Sequence, residues 1–171
     1  MPSHRSDLFA SRDIVFSFDN YLLIRIGQKV RFPLHDDLAI LLSTSGSTGS
    51  PKFVRVSYAN LKANAASIAE YLGIQSLDRP ITTLPMSYSY GLSIINSHLI
   101  QGATILLTAK SVIERDFWSF IKNQRATSLS GVPFTFEILK KLRFFKMDLP
   151  YLKTLTQAGG KMHNELSQEF S

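Results

Sequence analysis

At 171 residues, 44% of them hydrophobic and 19% charged, the chain has enough apolar material for one buried core and too little length for two full domains. It contains no cysteine, which excludes disulfides, thiolate zinc sites and cysteine nucleophiles. A formal charge of +6 suits nucleic acid, a membrane surface or an anionic nucleotide equally well, while the longest apolar runs are far too short to cross a bilayer, so a cytoplasmic chain without a membrane span is expected.

In chain order, Ile14-Val-Phe-Ser-Phe and Tyr21-Leu-Leu-Ile-Arg-Ile flank Asp19-Asn20, a pair that tolerates positive φ, which predicts a two-stranded hairpin. Residues 1–32 are therefore expected as a hairpin region ahead of a larger part, 33–171. Pro33 and Asp36-Asp37 break the pattern before Leu38-Ala-Ile-Leu-Leu, which reads as a buried strand. That strand runs into Ser43-Thr-Ser-Gly-Ser-Thr-Gly-Ser-Pro-Lys52, too rich in small polar residues for helix or strand and therefore a loop. Phe53 to Val56 is a short strand, and Ser57 can cap a helix whose apolar stripe is Leu61, Ala65, Ile68, Ala69 and Leu72, ended by Gly73.

Further strands are expected at 81–84, 103–107, 127–129 and 155–158, with helices at 92–100, 112–122 and from Phe134 onward. In that last helix Phe134, Ile138, Leu139, Leu142 and Phe145 keep helical spacing, so Lys140, Lys141, Arg143 and Lys146 read as its solvated face and no nucleic-acid partner is expected. Strands alternating with helices of this length argue for an α/β fold, a largely parallel sheet flanked by helices, with ligand loops at the carboxyl ends of the strands. Neither His4, His35, His98 and His163 nor Glu165 with Glu169 shows the spacing of a metal site.

The loop carries the chemistry. It offers hydroxyls at Ser43, Thr44, Ser45, Ser47, Thr48 and Ser50, backbone amides laid bare at Gly46 and Gly49, and the ammonium of Lys52. Amide and hydroxyl donors around a lysine are how a protein wraps a polyphosphate. A kinase-type or GTPase-type loop would set a hydroxyl directly after its lysine at a helix start, whereas here Pro51 precedes Lys52 and Phe53 follows it. Thr44 through Lys52 instead resembles the Thr-Ser-Gly-Ser-Thr-Gly-x-Pro-Lys-Gly signature of the adenylate-forming superfamily, which includes acyl-CoA synthetases, peptide-synthetase adenylation domains and luciferases. Phe53 stands where that family usually has glycine, which makes the exit from the loop bulkier.

Three later segments resemble the same family in the same order. Pro85-Met-Ser-Tyr-Ser-Tyr-Gly91 is similar to its Pro-x-x-His-x-x-Gly segment, with Tyr88 in place of the histidine that borders the acyl pocket. Tyrosine keeps an aromatic wall and a hydroxyl but does not take up a proton near neutral pH as imidazole does; ordinary packing of Tyr88 and Tyr90 at a helix entrance is the other reading. Gly131-Val-Pro-Phe resembles a turn before a pocket-lining helix, placing Val132 and Pro133 at the substrate, and Gln157-Ala-Gly-Gly-Lys161 resembles a segment packed close to adenine, placing Gly159, Gly160 and Lys161 at the nucleotide.

The resemblance implies part of the large N-terminal domain of an AMP-forming ligase. Such an enzyme uses ATP and Mg2+ to activate a carboxylic acid as its acyl adenylate, then passes the acyl group to coenzyme A or an acyl carrier protein. By the same resemblance Thr44, Ser45, Gly46, Ser47, Thr48, Gly49 and Lys52 hold the nucleotide, with Thr48 and Lys52 also catalytic. The family's magnesium-binding glutamate, ribose-binding aspartate and C-terminal lysine are not among these residues, so a fragment with weak or no turnover is expected. The alternative is a non-catalytic truncated paralogue acting as a nucleotide-binding or interaction module.

Overall fold

The computed structural model describes residues 14–18, 21–25, 33–44 and 52–170. The chain divides into two compact units, Met1–His35 and Asp36–Ser171. In the first, β1 (Ile14–Phe18) and β2 (Tyr21–Ile24) pair antiparallel with Phe18 opposite Tyr21, as the hairpin pattern predicts; the Asp19-Asn20 turn lies outside the described residues.

The second unit opens with β3 (Leu38–Ser43) and β4 (Phe53–Ser57), paired antiparallel. Strands joined by a single loop pair this way because a parallel partner needs a long crossover. Leu38–Leu42 forms the strand expected, but not a buried one: Leu41 is 51% exposed, since helix α1 (Tyr58–Leu72) covers only part of this narrow ribbon. The helix itself follows its local signals. Ser57 and Asn60 form a reciprocal capping box, Ala65 and Ala69 are buried, and Gly73 closes the helix in the left-handed region at φ +61°.

Strands β5 (Pro80–Thr82), β6 (Ser128–Gly131) and β7 (Thr154–Gln157) form a parallel sheet in that order. Helix α2 (Ser89–Leu99) follows β5, α3 (Arg115–Asn123) precedes β6, α4 (Pro133–Lys141) separates β6 from β7, and α5 (Asn164–Glu169) follows β7. The strand expected at 103–107 reduces to a single parallel bridge between Leu106 and Ile81, with Leu107 pointing outward. The helix expected from Val112 begins at Arg115, because the Glu114 carboxylate takes the Ser111 N–H and the Trp118 indole donates to the Val112 carbonyl, folding 111–114 as a turn.

The stripe expected on α4 is also out of phase. Phe134 is 65% exposed and Thr135, Phe136 and Leu139 are buried, because Pro133 starts the helix and fixes which side meets the sheet. Left-handed Arg143, φ +56°, then breaks the helix, so Phe145 meets Phe144 edge-to-face and packs at a tilt against Phe170 instead of continuing the stripe. Lys140 pairs with Glu169 at 2.6 Å, linking α4 to α5, while Lys141, Arg143 and Lys146 are exposed.

Alternation along the strands gives the sheet two unlike faces. Ile81, Leu129 and Leu155 pack with Phe117, Ile121, Phe136 and Leu139 in the main core. Thr82, Ser128, Ser130, Thr154 and Thr156, in matching register, occupy the opposite face.

Candidate functional site

The site grows from the carboxyl ends of the parallel strands. Strand β6 ends at Gly131 and hands over to Val132-Pro133, the start of α4; β7 ends at Gln157 and hands over to Ala158-Gly159-Gly160, whose Ala158 N–H reaches the Gly131 carbonyl at 3.4 Å. After β5 the chain turns through Leu84-Pro85 to Tyr88, the residue that caps α2 in an extended conformation.

Side chains from these three ends meet at Gly159. Its φ is +81°, and a Cβ there would overlap the Tyr88 hydroxyl and stand 3.1 Å from Val132 Cγ1; a Cβ on Gly160 would stand 3.3 Å from Pro133 Cγ. Tyr88, Val132, Pro133, Gly159 and Gly160 are thus brought together, and the Gln157 amide braces the turn by donating to the Gly160 carbonyl. Lys161 is exposed beside them, in a shallow depression shared with His163, Asn164 and Glu165.

Tyr90, whose edge meets the Tyr88 ring at a centroid distance of 6.4 Å, points inward. Its hydroxyl lies 2.9 Å from Thr156 Oγ1, which lies 2.7 Å from Ser130 Oγ. Burial holds the Tyr90 phenol above its ordinary pKa against the opposing pull of the Thr156 and Ser130 hydroxyls. This hydroxyl chain was missed as a functional feature by sequence reasoning, although Ser128-Leu-Ser130 and Thr154-Leu-Thr156 carry its signal: polar residues at period two around a core leucine.

At the base of the loop, the Thr44 N–H and hydroxyl both donate to the Lys52 carbonyl, at 2.9 and 3.2 Å. The ends of the Ser/Thr/Gly segment are therefore held together, while Ser45, Gly46, Ser47, Thr48 and Gly49 lie outside the described residues. Among the described residues no hydrogen bond joins Thr44 or Lys52 to the Tyr88–Gly159 cluster, and no group of three His, Cys, Asp or Glu side chains is placed to hold a metal.

His98 sits buried on α2 with Nδ1 2.8 Å from the Ile94 carbonyl, to which it donates. Desolvation lowers its pKa; the Ile94 hydrogen bond and the charge of Asp78 oppose the shift without reversing it. The unfolded chain then takes up a proton on His98 before the folded chain does, so stability present above pH ~6.5 is lost as pH falls below that value toward the lower folded pKa. Urea midpoints should drop between pH 7.5 and 5.5 more for the natural chain than for His98→Gln; equal drops would show that other groups set the dependence.

A family model described as AMP-binding enzyme matches residues 9–171. The chain belongs to the AMP-binding enzyme family. The 2-succinylbenzoate–CoA ligase of Bacillus licheniformis is 39% identical over 97 residues, which are 57% of this chain and 20% of that protein. The Staphylococcus aureus strain JH9 ligase of the same name is 35% identical over 100 residues, 58% of this chain and 20% of its own. The chain thus spans about a fifth of the length of these curated relatives. Among solved structures, o-succinylbenzoate coenzyme A synthetase from Bacillus subtilis in complex with AMP superposes with a TM-score of 0.69 at 30% identity over 78% of this chain and 27% of that one. A long-chain-fatty-acid–CoA ligase from Archaeoglobus fulgidus shares the fold, with a TM-score of 0.69 at 22% identity over 90% of this chain and 29% of that one. The parallel sheet with flanking helices is accordingly that of the N-terminal part of AMP-binding enzymes.

Proposed function

We propose that this chain is the nucleotide-loop portion of an AMP-forming ligase, which activates a carboxylic acid with ATP and passes the acyl group to a thiol such as coenzyme A or a carrier protein. The observation that carries this reading is the meeting of Tyr88, Val132, Pro133, Gly159 and Gly160 at the carboxyl ends of three parallel strands, where ligands of open α/β sheets bind. Residues 33–171 are the AMP-binding part and 1–32 a hairpin region ahead of it.

In the reaction a carboxylate oxygen attacks the α-phosphorus of ATP, the acyl adenylate forms and pyrophosphate leaves. Ser45, Ser47 and Thr48 donate to phosphate oxygens from a loop whose base Thr44 closes on the Lys52 carbonyl, Gly46 and Gly49 let backbone amides approach, and Lys52 offsets the phosphate charge. Thr48 and Lys52 act on the charge that develops as pyrophosphate departs. Adenine lies against the backbone of Gly159 and Gly160, with Lys161 at the rim. Tyr88, Val132 and Pro133 border the acyl group. Magnesium bound with ATP would neutralise phosphate charge; among the described residues no group of three His, Cys, Asp or Glu side chains is placed to hold it.

Calorimetric titration tests the loop assignment. ATP should bind, and Lys52→Ala should weaken it by about tenfold or more, the loss of one charge-assisted contact, while adenosine binding changes little. Unchanged ATP affinity in Lys52→Ala would overturn the assignment of that lysine. Pyrophosphate release from ATP with a panel of carboxylic acids tests the reaction itself, in the chain and in the longer protein if one encloses it.

A further inference from the structure

Glycine has the weakest backbone preference of any residue, so a Gly-Gly turn left to itself samples several orientations. Ala158-Gly159-Gly160 nonetheless takes one arrangement after β7, with Gly159 at φ +81°. Two hydrogen bonds hold it. The Ala158 N–H reaches the Gly131 carbonyl at 3.4 Å, a long bond that ties down only the near end, and the Gln157 side-chain amide donates to the Gly160 carbonyl at 2.8 Å. A carbonyl oxygen at that distance requires the NH2 side of the amide, because the amide oxygen would repel it. Among the described residues no other side chain bonds to 158–161.

This bond fixes more than one atom. The peptide between Gly160 and Lys161 is trans, and a trans peptide is planar with its C=O and N–H on opposite sides. With the Gly160 carbonyl drawn toward Gln157, the Lys161 N–H of the same unit faces the other way, and among the described residues it donates to no group. Half a turn of this one unit, which glycine at 160 permits, would exchange the two ends and put an oxygen where the structure holds a donor. Gln157 is well placed to prevent that exchange. Its backbone is set by the sheet and not by the turn, since β7 holds it opposite Gly131 in register, and its side chain is half-buried.

Accepting the ligase reading and its adenine seat at Gly159 and Gly160, we propose that Gln157 is the positioning residue of that seat. It acts through the Gly160 carbonyl, setting which end of the 160–161 peptide is turned to the base and keeping the Lys161 N–H free to donate there. Both ends of the bond lie within four residues at the rim of the sheet, so its loss costs the fold little and falls on the site.

Adenosine, which carries no phosphate for the loop to hold, is the probe, titrated calorimetrically at pH 8 and pH 5. Gln157→Ala should weaken its binding about tenfold at both pH values, with a urea midpoint close to that of the natural chain. Gln157→Glu gives the result that a merely structural role would not. At pH 8 its carboxylate cannot donate and repels the Gly160 carbonyl, so affinity should fall at least as far. A carboxyl facing a carbonyl oxygen is favoured in its protonated form, which lifts its pKa above the ordinary ~4.3. By pH 5 it regains a donor, and affinity should recover several-fold while the natural chain and Gln157→Ala stay flat. Heteronuclear NMR reads the cause without ligand: the Lys161 amide resonance should shift in Gln157→Ala and, in Gln157→Glu, return toward its natural position at pH 5. Natural affinity in Gln157→Ala, a pH-independent Gln157→Glu, or an unmoved Lys161 resonance would overturn the proposal. A natural chain that bound ATP but not adenosine would also overturn it while leaving the loop assignment and the ligase reading standing; loss of ATP binding as well would remove both.

Discussion

Gly91→Ala should destabilise the chain by about 3 kcal/mol and disorganise the Tyr88 end of α2. A Cβ at this position would stand 2.5 Å from the Pro85 carbonyl oxygen and 2.9 Å from that of Leu84. Both obstacles are backbone, and the Pro85 carbonyl already accepts the Tyr88 N–H at 3.0 Å, so neither can swing aside as a side-chain tip would. Overpacking a tight interior contact costs ~1–3 kcal/mol, and a rigid partner puts this one at the upper end. Relief requires the Leu84-Pro85 turn to retreat from α2, carrying Tyr88 off Gly159 and Tyr90 out of reach of Thr156. Urea denaturation reads the first effect. The second would appear as a tyrosine near-ultraviolet dichroism signal lost at urea concentrations where far-ultraviolet helicity persists. A variant as stable as the natural chain would show that the turn yields without cost.

The parts of this fold that were legible in the sequence are those fixed by local chemistry. Ser57 and Gly73 delimit α1 because a cap hydroxyl and a left-handed stop act within a few residues. The strand-and-helix alternation fixed the sheet class for the same reason. What could not be read depends on partners distant in sequence. Whether 103–107 makes a strand depends on how much of it reaches β5, and only Leu106 does. Leu38–Leu42 has the apolar run of a buried strand, but its exposure is decided by its pairing with β4. Phe134 keeps a helical period with its neighbours, yet Pro133 and the sheet set the phase. At the site, resemblance to a motif pointed to Tyr88, Val132, Pro133, Gly159 and Gly160, whose contacts the structure supplies. Ser130 and Thr156 match no motif; their meeting with Tyr90 exists only once β6 and β7 lie side by side.

Gly159→Ala is expected to cost about 2–4 kcal/mol and to abolish nucleotide binding, for two separable reasons. The first is conformational: φ of +81° lies in the region that non-glycine residues enter at a cost of ~1–2 kcal/mol. The second is steric, since the new methyl would overlap the Tyr88 hydroxyl oxygen while the Tyr88 ring carbon bearing it stands 3.4 Å away, an ordinary contact. Tyr88→Phe removes only that oxygen, so adding it to Gly159→Ala should restore the steric share of the loss, ~1–2 kcal/mol, and leave the conformational share. Tyr88→Phe alone should change stability little, because among the described residues no hydrogen bond to the Tyr88 hydroxyl is present. A double-mutant cycle by urea denaturation measures the coupling directly. Additive losses would mean that Tyr88 yields to the methyl by turning away. Coupling of the expected size with ATP binding still absent from the double variant would locate the nucleotide's requirement in the Gly159 backbone and not in the Tyr88 hydroxyl.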